Sequence, residues 1–281
     1  MPQSVNRLVT AVSSFVALGL TATQVHAAST YVGVGDTAPN GIFFNGGSIT
    51  QNVSANLLTT LNISKTNAQA VGPSVVSQDF GPDPYLGLVR TSLSWTSAVN
   101  GVWVDDSTGA ITSLSSVGGV TLTSSLVDQV SYGGTLSISN LQIDFQNNRV
   151  YASLTGDFRG VGTPEGYAPY DSSVVTTLTN VHLWDFQTVQ GNLAGGIVPA
   201  PLTGPWVSGI PPFNLSNLSI TQNGYAHVTS SLRLYHLGTS TLMNVTSYGT
   251  ITTAVPEPAT VPMVLVGLMG VAATARLRRK L

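Results

Sequence analysis

Residues 120–154 read VTLTSSLVDQVSYGGTLSISNLQIDFQNNRVYASL, and their pattern decides the fold. Apolar side chains alternate with hydroxyls and amides through Leu136, Ile138, Leu141, Ile143 and Val150, the period-two signature of half-buried strands. Gly133-Gly134 and Asn147-Asn148 interrupt that alternation with residues that tolerate positive φ. Val120–Val130 is therefore predicted to meet Leu136–Phe145 through the glycine pair. Phe145 is predicted to return at the asparagine pair into Val150–Leu154.

The same pattern extends in both directions. Leu93–Val99 is predicted to turn at Asn100-Gly101 into Val102–Asp105, and Asp106-Ser107-Thr108-Gly109 to turn back toward Ile111. Leu218–Thr221 is predicted to return at Asn223-Gly224 into a strand over Ala226–Leu232. Residues 71–87 and the Pro/Gly-rich stretch Gly191–Pro212 read as irregular connections, the second of which could subdivide the body. No helical-period stretch longer than about ten residues precedes the C-terminal tail. The expected class is all-β, an antiparallel β-sandwich or jelly-roll-like body over residues 28–254. A faint internal echo runs through it. Asn140-Leu141-x-Ile143, Asn180-Val181-x-Leu183 and Asn217-Leu218-x-Ile220 lie 40 and 37 residues apart, each read as an asparagine opening a strand.

The two chain ends read differently from the body. Residues 1–27 carry Arg7, an apolar stretch from Leu8 to Leu20 and the small-residue site Val25-His26-Ala27, the layout of a helical signal peptide cleaved between Ala27 and Ala28. This implies passage through the Sec translocation machinery. The last 27 residues read VPEPATVPMVLVGLMGVAATARLRRKL. Pro256 and Pro258 fix their own φ and push Val255 and Glu257 out of the α region, so the motif is expected to be extended and accessible. Residues 259–275 follow as a single short transmembrane helix, roughly 25 Å long against a hydrocarbon core of about 30 Å. Arg276, Arg278, Arg279 and Lys280 then form a positive stop on the cytoplasmic side.

In that order, motif, apolar run and basic tail resemble the PEP-CTERM sorting signal of Gram-negative bacteria, which exosortase enzymes recognise and remove. The resemblance covers this tail alone and implies an exosortase-like processing enzyme as a partner, with Val255, Pro256, Glu257 and Pro258 as the sorting motif. It also implies transient inner-membrane association and a destination at the cell surface or in the extracellular matrix. Proteins with this signal occur in bacteria that make exopolysaccharide and form biofilms, so the resemblance implies a structural or exopolysaccharide-associated role.

Composition narrows what the body can do. The chain has 10 Lys+Arg against 12 Asp+Glu, but Arg7 and the four basic residues of the tail lie in the end signals. Residues 28–258 keep only Lys65, Arg90, Arg149, Arg159 and Arg233 against all 12 acids, a charge near −7. Such a surface is a poor match for nucleic acid. Solubility rests instead on hydroxyls, with 28 Ser and 28 Thr in the same stretch. Cysteine is absent, so neither disulfides nor thiol chemistry are available.

Catalytic patterns are sparse. The mature stretch offers His182, His227 and His236 and two glutamates, Glu165 and Glu257, in no known catalytic motif. His182 and Asp185 with one of many serines could assemble a hydrolytic triad only through the fold. No enzyme activity, cofactor or metal is expected. Asp79, Asp83, Asp105 and Asp106 are candidate loop ligands for calcium, at spacings that match no known calcium loop. Trp95, Trp103, Trp184 and Trp206 are candidates for stacking on sugar rings, although tryptophan in a β-protein more often packs in the core. A calcium- or carbohydrate-binding module is thus the alternative reading, and a secreted hydrolase a more distant one.

Overall fold

The computed structural model describes residues 28–254 apart from residues 40, 42, 85–86, 160–170, 192 and 194–209. The predicted signal peptide, the sorting motif, the transmembrane segment and most of the 191–212 connection lie outside the described residues. Among the described residues no helix is long and apolar enough to cross a membrane.

In chain order the elements are β1 (Ser29–Gly33), β2 (Gly47–Val53), α1 (Ala55–Ile63), β3 (Asn67–Val71), β4 (Val75–Asp83) and β5 (Gly87–Asp105). They continue with β6 (Ile111–Val117), β7 (Gly119–Val127), β8 (Ser131–Asp144), β9 (Arg149–Gly156), β10 (Thr176–Asp185) and β11 (Thr188–Gly191). Last come β12 (Phe213–Ser216), β13 (Ser219–Ile220), α2 (Gln222–Ser231), α3 (His236–Met243) and β14 (Gly249–Ala254). The described strands hydrogen-bond into one curled sheet whose main path runs β11-β12-β14-β2-β5-β6-β8-β9-β10-β13. Its pairings are antiparallel, as the alternation predicts.

Among the described residues, the three α-helices fill the inside of the curl. Leu57 and Leu61 of α1, Val228 of α2 and Leu242 of α3 line one apolar cavity together with Leu93 and Trp95 of β5, Leu122 of β7, Ile138 of β8 and Trp184 of β10. All three stay within the ten-residue limit that the sequence sets, with 9, 10 and 8 residues. Their starts carry a local signal in two cases: the Ser54 and Thr221 hydroxyls cap α1 and α2 by accepting from the N–H of Leu57 and Gly224.

Two predicted turns stand where expected. The Asp106–Gly109 turn joins β5 to β6 with Val104 opposite Ile111, and Gly109 takes φ +73°. Asn147-Asn148 joins β8 to β9 with Asp144 opposite Arg149 and Asn148 at φ +55°.

Four expectations are corrected. Asn100-Gly101 is no turn: β5 runs straight through it, held by β2 along Ser94–Val99 and by β1 along Gly101–Asp105. A register shift at this point re-phases the strand, so that Val99 and Val102 are both buried. Residues 71–87 are not irregular, since Val75–Asp83 forms β4 against the first half of β5. Gly133-Gly134 lie within β8, and the chain reverses earlier, where Gln129 takes φ +60°. Gly134 is small for a packing reason: a Cβ there would lie 2.1 Å from the Ser231 carbonyl oxygen. Finally, the predicted strand Ala226–Leu232 is the body of α2. Its apolar residues Val228 and Leu232, four apart, both face the cavity, so one helical face outweighs the short alternation.

The asparagine echo has a backbone meaning. Asn140, Asn180 and Asn217 adopt φ of +52°, +56° and +57°, the left-handed conformation that asparagine tolerates best after glycine. Asn140 and Asn180 sit inside strands rather than opening them. The residue after each turns inward: Leu141 and Leu218 are fully buried and Val181 packs against the core.

Candidate functional site

The two in-strand asparagines flank the same point of β9. Between β8 and β9 the register passes from Ser139↔Ser153 to Gln142↔Tyr151, so β8 holds one extra residue at Asn140. Between β10 and β9 it passes from Leu178↔Leu154 to Val181↔Ala152, so β10 holds one extra residue near Asn180. Paired one-residue bulges deepen the local twist and part the side chains on the outer face. A polar groove of about 410 Å³ opens there, lined by Asn140, Gln142, Asp144, Tyr151, Ser153 and Asn180.

Planar polar groups continue past one end of the groove. His182 lies opposite Tyr151, with ring centroids 5.2 Å apart, and its Nε2 is 2.8 Å from Asp185 Oδ1. Arg149 stands opposite both Asp144 and Asp185. A hydrogen bond with Tyr151, reinforced by the charges of Asp185 and Asp144, holds its guanidinium pKa above the usual value. One aromatic face, amides and an alternation of carboxylate and guanidinium suit a neutral, hydroxyl-rich ligand. Among the described residues the His182 imidazole is bonded to Asp185, and no serine hydroxyl completes a triad with them.

The other candidates are placed as follows. Asp79 Oδ2 accepts from the Ser92 hydroxyl at 2.7 Å. Asp105 closes its own turn: hydrogen bonds from the Ser107 hydroxyl and the Thr108 N–H pull its pKa down to about 2. Among the described residues no three histidine or carboxylate groups come together as a metal site. Trp95 and Trp184 are core residues rather than a sugar platform, 4% and 3% exposed, and Trp103 packs against Tyr31 at 4.8 Å. Trp206 lies outside the described residues, as do Ala27, Val255–Pro258 and the basic stop. Ala28 is described, and its carbonyl accepts from the Asp106 N–H.

His227 is half-buried against the Phe158 ring, its Nδ1 without a partner, and burial holds its pKa below the ordinary 6.5. The unfolded chain then binds more protons than the folded one below pH 6.5. Stability is expected to fall as pH drops through that value. Thermal midpoints followed from pH 8 to pH 5 should fall less for His227→Phe than for the parent; equal slopes would remove His227 as the cause.

Sequence reasoning missed a buried ionic cluster at the C-terminal end of α2. Asp157 and Arg233 are both fully buried and joined by a hydrogen bond from Nη2 to Oδ2. Arg159 adds bonds to both carboxylate oxygens at 3.0 and 2.8 Å. Burial alone would raise the Asp157 pKa, but the Arg159 and Arg233 hydrogen bonds outweigh it and hold the carboxyl well below the usual range. The only signal in the sequence was the scarcity of basic residues, which made each surviving arginine worth asking about.

Comparison with known proteins bears on the tail and on little else. A model described as the PEP-CTERM protein-sorting motif matches residues 254–280. No curated protein matches the chain. Among solved structures, the heme-binding protein HtaB from Corynebacterium glutamicum is similar over 74% of this chain and 91% of its own, at 14% identity and a TM-score of 0.42. The matched segment begins at the last residue of β14 and spans the motif, the apolar run and all four basic residues of the tail; the chain carries a PEP-CTERM sorting motif.

Proposed function

We propose that this chain is an exported, non-enzymatic protein of the cell surface or extracellular matrix, held briefly at the inner membrane by its tail and released by an exosortase. The sorting motif at residues 254–280 carries this reading. The acidic, hydroxyl-rich and cysteine-free body agrees with it. The test is the intact mass of the mature protein recovered from cells and medium. It should lack residues 1–27 and everything beyond the motif, and deleting the host's exosortase should leave the tail attached. A mature protein that keeps Arg276–Lys280 in an exosortase-positive host would overturn the proposal.

The outer groove favours a more specific role, contact with a hydrated polysaccharide. Tyr151 would lie against a sugar ring while Asn140, Gln142 and Asn180 exchange hydrogen bonds with ring hydroxyls. Truncating one stacking aromatic removes about 1 kcal/mol, roughly fivefold in affinity. Tyr151→Ala is expected to weaken retention on matrix polysaccharide by that factor in affinity electrophoresis. Unchanged retention would exclude this groove.

A further inference from the structure

Ala254 ends β14 opposite Ser48 of β2, one residue before the sorting motif. Only Val255 to Pro258 separate it from Ala259, the first residue of the predicted membrane segment. Five peptide steps reach at most about 17 Å when fully extended. A membrane-held precursor therefore keeps its folded body within that distance of the lipid surface, and what lies beside the end of β14 determines which part meets it.

The segment joining β1 to β2 lies there. Upstream of Ser48, Gly47 pairs with Val99, and a Cβ at Gly46 would lie 3.1 Å from Val34 Cγ2 and 3.4 Å from the Val99 carbonyl oxygen. The segment is tied down at several points. Val34 N–H donates to Asn100 O at 3.3 Å, Gly35 N–H to Phe44 O at 2.8 Å and Phe44 N–H to Asp36 O at 2.8 Å, while Thr37 bridges to Phe43. Phe44 is fully buried, yet its neighbour Phe43 is 48% exposed, Val34 51% and Tyr31 48%. Isolated exposed apolar residues are ordinary. Here Val34 and Phe43 stand on one well-anchored segment beside the exit of the chain, and Tyr31 stands on β1 just before it. Asp36 is the only charged residue from 28 to 64, and its carboxylate accepts from the Gly33 N–H at 3.0 Å. A body with a charge near −7 is repelled by anionic headgroups, so the stretch after β1, with Asp36 as its one charge up to residue 64, is the part best able to approach them. Asp105, opposite Ser29, and Asp106, whose N–H donates to Ala28 O, mark its acidic edge.

We infer that Tyr31, Val34 and Phe43 form a membrane-seating face, which rests in the headgroup–acyl boundary while the precursor is anchored and holds the sorting motif at the bilayer surface. The partner is the lipid surface itself, contacted by aromatic and aliphatic side chains that stay partly wet. Once the tail is cut away, so small a patch no longer binds and the body leaves. The inference rests on the membrane-anchored transit proposed above.

The absence of cysteine makes the test direct. Full-length precursor carrying Phe43→Cys, Val34→Cys or Asp128→Cys is labelled with a polarity-sensitive fluorophore and reconstituted into vesicles of phosphatidylethanolamine and phosphatidylglycerol. Asp128 is exposed in the β7–β8 turn, at the far end of the strands. Lipids spin-labelled near the headgroup should quench the labels at 43 and 34 at least about twofold more than the label at 128. Equal quenching at all three sites in vesicle-bound protein would overturn the seating face alone. Protection at 43 that appears only when exosortase is added would assign the patch to the enzyme and likewise overturn it. Precursor that fails to float with the vesicles would refute anchoring, and the seating face with it.

Discussion

Asp157→Ala should lower the unfolding free energy by about 3–5 kcal/mol, a large share of the 5–15 kcal/mol typical of a folded domain. The carboxylate is the hub of the α2 terminus. It receives Arg233 Nη2, Arg159 Nε and Nη2, and the Arg159 backbone N–H. Arg233 is fully buried and holds its backbone at φ +51°, the position after a helix end that glycine usually fills. Its N–H returns to Ser230 O and that of Leu234 to Thr229 O, while the Ser124 and Ser131 hydroxyls donate to Leu232 O. Removing Asp157 leaves a buried guanidinium without its carboxylate inside a well-packed junction.

Urea titrations provide the check, with a lower midpoint at unchanged slope as the expected result. Asp157→Leu combined with Arg233→Met should recover most of the loss, because removing both charges leaves neither one stranded. A single-variant loss below about 1 kcal/mol would mean that water reaches the pair. The same cluster gives the protein an acid limit. Because the folded pKa of Asp157 lies below the ordinary 3.8, its contribution is complete above that pH and is lost as the pH falls toward the folded value.

The strands were legible because burial on one face writes a period of two into the chain, and the Asp106–Gly109 and Asn147-Asn148 turns because their conformations are local. The errors share a physical origin. Asn100-Gly101 has the composition of a hairpin turn, yet Tyr31 from β1 packs so closely on Gly101 that a Cβ would lie 2.2 Å from its hydroxyl oxygen. Glycine at that position serves a close approach across 70 residues, which no local window can detect. Gly134 and Gly224 follow the same rule: a Cβ on the first would run into Ser231 O, and one on the second would lie 2.8 Å from Leu183 O. Short helices inside a curled sheet were hidden for a related reason: Ala226–Leu232 can alternate or wind, and only the cavity it must fill decides. Of the candidate groove, the Asn140 and Asn180 echo was visible as a repeat. Its meaning, two bulges on either side of one strand, depends on a pairing order that the sequence does not state.

Replacing Pro256-Glu257-Pro258 with three alanines should leave the precursor in the inner membrane and abolish release. The substitution makes two changes at once. It removes the only acidic side chain of the tail, and it replaces two residues that exclude helix with one that favours it by about 3 kcal/mol per position over proline. β14 ends at Ala254 by pairing with β2 and β12, so the body supplies no slack upstream of the motif. A helix continuing from the apolar run toward Val255 would shorten the tether from about 3.3 Å to 1.5 Å per residue and draw the cut site against the folded body. Two graded variants separate recognition from reach. Glu257→Gln keeps both prolines and the extended backbone, so a block to release in that variant assigns the loss to recognition of the charge. A flexible Gly-Ser insertion between Ala254 and Val255 lengthens the tether without touching the motif; if it restores release to a Pro256→Ala, Pro258→Ala variant, accessibility was limiting. Membrane and medium fractions, followed by immunoblot with the C-terminal mass of the released form, decide among these outcomes. Normal release of the triple-alanine precursor would mean that the motif does not direct processing of this chain.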